Sequence, residues 1–156
     1  MFRPMRRNNQ KLKSNECMDI IEKSPRGVLA VLGDEEYPYT IPLDYVYDNG
    51  NIYFHGALEG HKVDSVTRHD KVSFCIVDEG IRLENQWWLT FKSVICFGKI
   101  SKVVDKKEIG RILELFGDKY FPDSVSTQDE LDKYIDDTLI LKLNIEHVSG
   151  KLVREK

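Results

Sequence analysis

The sequence predicts a mainly β chain with added helices, an antiparallel barrel of about six strands. Three observations predict it. Short apolar runs alternate in period two, hairpin signals separate them, and the helical stripes are confined to the start, the middle and a late segment. With 156 residues, 41% hydrophobic and 31% charged, the composition is that of one globular domain spanning 1–156.

The elements follow in order. A first helix is expected from Ser14 as N-cap through Met18, Ile20 and Ile21, stopping at Ser24-Pro25. Gly27 to Leu32 (GVLAVL) reads as a buried strand, followed by a turn at Gly33-Asp34-Glu35-Glu36. In PYTIPLDYVYD, Tyr39, Ile41, Leu43, Tyr45 and Tyr47 alternate with Thr40, Pro42, Asp44 and Val46, which predicts one strand. Pro42 cannot donate to a ladder, so its position is an edge, a bulge or a place where something other than a strand approaches. Asp48-Asn49-Gly50 turns the chain into a returning strand, Asn51 to His55.

GHKVDSVTRHD reads as a short helix with Val63 and Val66 on one face, and KVSFCIVD as the next strand. QWWLTFKSVICFGKISKVV supplies one long strand or two broken near Gly98. Asp105 and Glu108 predict a capping box before the stripe Ile109, Ile112, Leu113 and Phe116, which ends at Gly117. Thr127 and Glu130 start another helix through Leu131, Tyr134 and Ile135. TLILKLNIEHVSGKLV closes the chain as a strand with room for a hairpin.

Several function classes fall away. A net charge of −3 supplies no basic field for nucleic acid, despite the basic start MFRPMRRNNQKLK. No run approaches the roughly 20 apolar residues of a membrane span, and no signal-peptide pattern appears. A cytoplasmic protein is expected. Cys17, Cys75 and Cys96 are scattered, which suits buried thiols better than disulfides or zinc. His55, His61, His69 and His147 are too dispersed for a metal site, and no metal is expected. Nucleophile elbows, Walker loops, dinucleotide fingerprints and zinc-protease motifs are missing.

What remains is the stretch FHGALEGHKVDSVTR, where a strand gives way to a helix among two glycines, two histidines, a lysine and an arginine. A helix start with nearby cations suits an anion, since unpaired N–H groups and the helix dipole both favour negative charge. A phosphate there would meet Lys62. Arg68, His69 and His147 read more simply as surface groups, and the tyrosines at 39, 45 and 47 as barrel core or dimer surface. In a strand, Trp87 and Trp88 would face opposite ways, one inward and one toward a partner or ligand.

The succession GVLAVL, PYTIPLDYVYDNGNIYFHGALEGHKVDSV and FKSVICFGKISKV resembles the pyridoxamine phosphate oxidase-like FMN-binding split barrels. Within them it is most similar to the nitroimidazole-resistance flavoproteins. The match runs from about Arg6 to Gly150. The resemblance implies a six-stranded antiparallel split β-barrel with FMN bound at a homodimer interface. It implies that Thr40, Ile41, Pro42 and Leu43 lie against the flavin ring, with backbone groups serving its nitrogen and oxygen atoms. It places the phosphate on His61 and Lys62, the strand histidine beside the flavin, the one catalytic candidate, at His55 next to Gly56, and the strand that approaches the cofactor near the dimer interface at Ser93 and its neighbours in FKSVICFG. The ending EHVSGKLVREK lacks the arginine-containing motif with which the oxidase branch grips its phosphorylated vitamin, so that oxidation is not implied.

The expected activity is reduction of small substrates, nitroaromatic compounds among the candidates, by FMN and a reduced electron donor. The alternative is a flavin- or haem-binding module without turnover, a sensor or carrier in which His61 could ligate iron.

Overall fold

The computed structural model describes residues 1–123 and 128–154. Helix α1 (Ser14–Lys23) leads into β1 (Arg26–Leu32), β2 (Pro38–Asp44), β3 (Val46–Asp48) and β4 (Asn51–Gly56). Then come α2 (His61–Arg68), β5 (Lys71–Val77), β6 (Phe91–Lys102), α3 (Lys106–Tyr120), α4 (Gln128–Asp137) and β7 (Leu139–Val153). All seven strands join one antiparallel sheet in the order β2-β1-β5-β6-β7-β4-β3, curled into a split barrel.

The sheet has seven strands rather than six because the tyrosine-rich run breaks at Tyr45. β2 pairs with β1 at one end of the sheet, whereas β3, one residue later, pairs with β4 at the other end. Tyr45 is the pivot. It is fully buried, its hydroxyl donates to the Ile21 carbonyl at 2.7 Å, and its N–H donates to the Tyr120 hydroxyl at 2.9 Å. The first of these bonds follows from the sequence. The helical partner of the Ile21 carbonyl would be residue 25, and Pro25 has no N–H to give.

The barrel interior is filled from the strands by Leu29, Ile52, Phe54, Phe74, Ile76, Val94 and Leu141, and from the helices by Ile20 and Ile21 of α1 and Val63 and Val66 of α2. Alternation holds on β1 and β5, where Leu29, Val31, Phe74 and Ile76 face in. A second cluster lies outside the barrel wall, where Ile109, Ile112 and Phe116 of α3 cover Val46, Tyr53 and Ile140. β4 is thus buried on both faces around Ile52, Tyr53 and Phe54.

Several boundaries differ from the sequence expectation. Lys13, not Ser14, is the N-cap of α1, where Glu16 accepts from the Lys13 N–H at 3.0 Å. Asp105 caps α3 by accepting from Lys107 N–H at 2.8 Å, but Glu108 turns away to Arg111 and Tyr53 instead of completing a capping box. α3 continues through Gly117 to Tyr120, because Lys119 and Tyr120 dock on the Tyr45 pivot. The start of α4 expected at Thr127 lies outside the described residues. β6 is one strand, and β7 is one 15-residue strand with no hairpin, its Glu146 left unpaired where the register shifts opposite Phe97/Gly98. Trp87 and Trp88 lie in the loop before β6, not in a strand, where Gly80 and Asn85 have φ of 69° and 61°. Trp87 is 88% exposed.

Cys17 and Cys96 are buried thiols as expected, and burial pushes Cys96 up to about 12; Cys75 is half-buried. Among the described residues no helix is long and apolar enough to cross a membrane, and no cluster of three His, Cys, Asp or Glu could hold a metal.

Candidate functional site

The corner between β4 and α2 is built by two glycines. Gly60, the N-cap of α2, has φ of 125°, a conformation side chains rarely adopt. The first intrahelical bond is Asp64 N–H to the Gly60 carbonyl at 3.0 Å, so the N–H groups ahead of Asp64 have no helical acceptor. Gly56 ends β4 opposite Leu139. A Cβ on Gly56 would stand 2.9 Å from Lys62 Nζ, so the missing side chain is what lets the ammonium lie over the strand end.

Lys62 is half-buried, and burial draws its pKa below the usual lysine range. Among the described residues it has no carboxylate or carbonyl partner. Its neighbour His55 is solvent-facing on β4, with its ring edge-on to Phe116 at 4.6 Å between centroids. Partial burial is the main cause that lowers the His55 pKa, and the Lys62 charge adds to it, while Asp44 opposes both.

His61 points elsewhere. Its ring stacks on Tyr39 at 4.2 Å and 13°. Its Nε2 accepts from the Asp34 N–H at 3.3 Å. Asp34 also accepts from Arg68 at 2.6 Å, and that bond is the main reason its carboxyl lies below the ordinary range. The helix start therefore divides its two basic groups. Lys62 reaches over Gly56, and His61 is fixed against the β1–β2 turn.

Of the other residues singled out in the sequence, Thr40 and Pro42 face solvent on β2, while Ile41 and Leu43 lean on the core. β2 is an edge strand as Pro42 requires, with Pro42 opposite Val28 and β1 its one sheet neighbour. Its free edge offers backbone N–H and C=O groups without ladder partners. Ser93 sits on β6 between Val77 and Lys151, three strands from β2, and within one chain it does not join the corner. Asp34 and Tyr39, which hold His61, were missed. The only signal for them was the glycine-acid turn beside an aromatic stripe.

A curled antiparallel sheet in this strand order, with a helix at the strand-to-helix corner, is the architecture of the split-barrel class. A sequence profile of the family described as pyridoxamine 5'-phosphate oxidase matches residues 13–152, and the chain belongs to that family. Among solved structures, a candidate 5-nitroimidazole antibiotic resistance protein from Bacteroides thetaiotaomicron is similar at TM-score 0.80 and 22% identity, covering 91% of this chain and 86% of that one. A FAD-binding protein from Mesorhizobium loti aligns at TM-score 0.70 and 20% identity, over 93% and 98%. An FAD- and haem-binding protein from Mycobacterium smegmatis aligns at TM-score 0.72 and 20% identity, over 94% and 74%. No curated protein matches the chain.

Proposed function

We propose that the chain is an FMN-dependent oxidoreductase acting on small substrates such as nitroaromatic compounds, with the flavin held between two copies. The observation that carries this reading is the half-buried, unpaired Lys62 ammonium over Gly56. It has lost hydration and gained no anion, so a phosphate monoester supplies what the fold leaves out. The residues fit that group: Lys62 and the first-turn N–H groups of α2 would take the phosphate, and the free edge at Thr40–Leu43 would face the ring. FAD in two similar proteins supports a flavin, and the single-cation corner favours the mononucleotide.

Bound there, flavin supplies two-electron chemistry, taking reducing equivalents from a donor and passing them to the substrate. The protein's own part is positional and protonic. His55, held mostly neutral at pH 7, can accept a proton at the imidazole and return it. Tyr39 and Asp34 fix His61, which turns the start of α2 toward the β2 edge. Because Nε2 of His61 is already engaged, holding haem iron through that nitrogen would first break the Asp34 contact.

Assembly as a homodimer is part of the reading. Val28 and Val77 are 39% and 51% exposed on the outer face of the sheet, beside Cys75 and Ile95. An apolar face of this kind fits a two-fold partner, whose own Ser93 strand would then approach the flavin. Titration with FMN, FAD and riboflavin, followed by absorbance and by mass in solution, tests the whole. The expected result is preferential FMN binding, blue-region flavin bands and two sites per dimer. Equal affinity for FMN and FAD, a sharp haem band, or a monomer of about 18 kDa holding flavin tightly would each overturn its part.

A further inference from the structure

The opening segment MFRPMRRNNQKLK holds Arg3, Arg6, Arg7, Lys11 and Lys13 and no Asp or Glu. All five residues are exposed, yet their backbone is tied down. The Leu12 N–H donates to the Gly150 carbonyl at 3.0 Å, and the Leu12 side chain enters the core. Lys11 forms an antiparallel bridge with Lys151, and Gln10 Nε2 donates to the Arg154 carbonyl at 3.3 Å. A turn closed by the Gln10 N–H on the Arg7 carbonyl leads back toward Phe2, which stacks on His147. The segment thus straps β7 from His147 to Arg154, about 24 Å of strand, where β4 no longer pairs with it.

Seven cations, the five above with Lys151 and Arg154, share this strap. The whole chain carries −3, so with these seven positive charges set aside the remainder carries −10. Lys11 and Lys151 stand directly opposite each other, which is unfavourable for like charges. Among the described residues none of the seven forms an ion pair. Glu16, which feels the Lys13 charge, is held by Lys92 at 3.2 Å, and Glu146 lies toward the other end, lining the same groove as Phe2. Residues 1–12 and Arg154 fall outside the family match, so most of the patch is not part of what that family shares.

The strap also discriminates among anions. Phe2 is taken up by His147 and Phe97, so the segment has no free aromatic on which nucleic-acid bases could stack. Leu12 is buried, which leaves Met1 as the one fully exposed apolar side chain of the segment, a poor anchor for a lipid surface. A long polyanion would run off the strap onto a strongly negative remainder. A protein with a compact acidic surface meets none of these obstacles.

We infer that this strap is a docking surface for an acidic protein, whose carboxylates pair with Arg6, Arg7, Lys11 and Lys151. It borders the face given to the two-fold partner, since Lys151 is the ladder partner of Ser93 and Ser93 that of Val77. Docking is independent of the flavin reading.

The experiment measures binding of a glutamate-rich peptide to the full chain by interferometry. An oligodeoxynucleotide of equal charge and vesicles of phosphatidylcholine with phosphatidylserine serve as rival probes. The peptide should bind tightest, and its affinity should fall at least about tenfold between about 50 and 200 mM salt. Arg6→Glu with Arg7→Glu should weaken it at least about tenfold. Lys102→Glu with Lys107→Glu, an equal change of charge at exposed positions of β6 and α3, should leave it within about twofold. Equal weakening by both pairs would mean attraction to net charge alone, and tighter binding of the oligonucleotide or the vesicles a different partner. A changed mass in solution for Arg6→Glu with Arg7→Glu would mean a contact between copies. Each of these results overturns the proposal.

Discussion

Replacing Lys62 by alanine separates a phosphate site from a folding role. In the free protein the ammonium is half-buried without an anion, so it already carries a desolvation cost that nothing offsets. Removing it should leave the melting temperature of the flavin-free protein unchanged or slightly raised. On binding, a charge-assisted contact to phosphate contributes roughly 1.5–3 kcal/mol, so FMN affinity should fall about ten- to a hundredfold. Riboflavin has the same ring and no phosphate, and its affinity should hardly change. Fluorescence quenching titrations of both flavins, at one salt concentration, measure the difference. Parallel losses for FMN and riboflavin, or a marked drop in melting temperature, would refute the reasoning. Because burial depresses the Lys62 pKa, FMN affinity should also begin to weaken at a lower alkaline pH than for an ordinary lysine.

Tyr45→Phe removes the hydroxyl that serves the Ile21 carbonyl, and should cost about 1–2 kcal/mol in urea unfolding. Gly98→Ala drives a Cβ into the Asn144 carbonyl oxygen beside the β6–β7 register shift, and a loss of at least about 1–3 kcal/mol, or failure to fold, is expected by the same measurement. The lowered pKa of His55 means that the unfolded chain binds its proton first as pH falls. The stability this residue contributes is therefore complete above about pH 6.5 and lost progressively below it, and His55→Gln should flatten that part of a stability–pH curve.

The strands were legible wherever one face is buried and the other is not. β1 and β5 alternate cleanly, and proline's missing donor, a local fact, kept Pro42 out of the middle of a regular ladder, with an edge among the three places left open. The break at Tyr45 was not legible, since the alternation of Tyr39 to Tyr47 runs through it. What interrupts the ladder there is a pair of hydrogen bonds to Ile21 and Tyr120, groups 24 and 75 residues away. Trp87 and Trp88 misled for the opposite reason, because their apolar character suggested a strand where positive φ at Gly80 and Asn85 bends a loop. The corner of Gly56, Gly60 and Lys62 could be singled out in the sequence because strand end, turn and helix start lie within a few residues of one another. The fixing of His61 by Asp34 and Tyr39 depends on β1 and β2 folding back against α2, a contact no local pattern reports.

The place of β7 in the sheet has a consequence for how the chain folds. β7 is the last strand in sequence, yet it lies between β6 and β4, and its residues from Leu139 to Asn144 are all that tie β4 to the rest of the sheet. Before those residues are in place, β2-β1-β5-β6 can form one ribbon and β3-β4 another, with only the crossing at Tyr45 between them. Joining them requires pairing across about 90 residues, from Asn51 to Asn144, which is slow by topology. The corner at Gly56 pairs with Leu139, so on the proposed function flavin capture and closure of the sheet should occur in the same late step. Flavin added during refolding would then accelerate or trap that step alone.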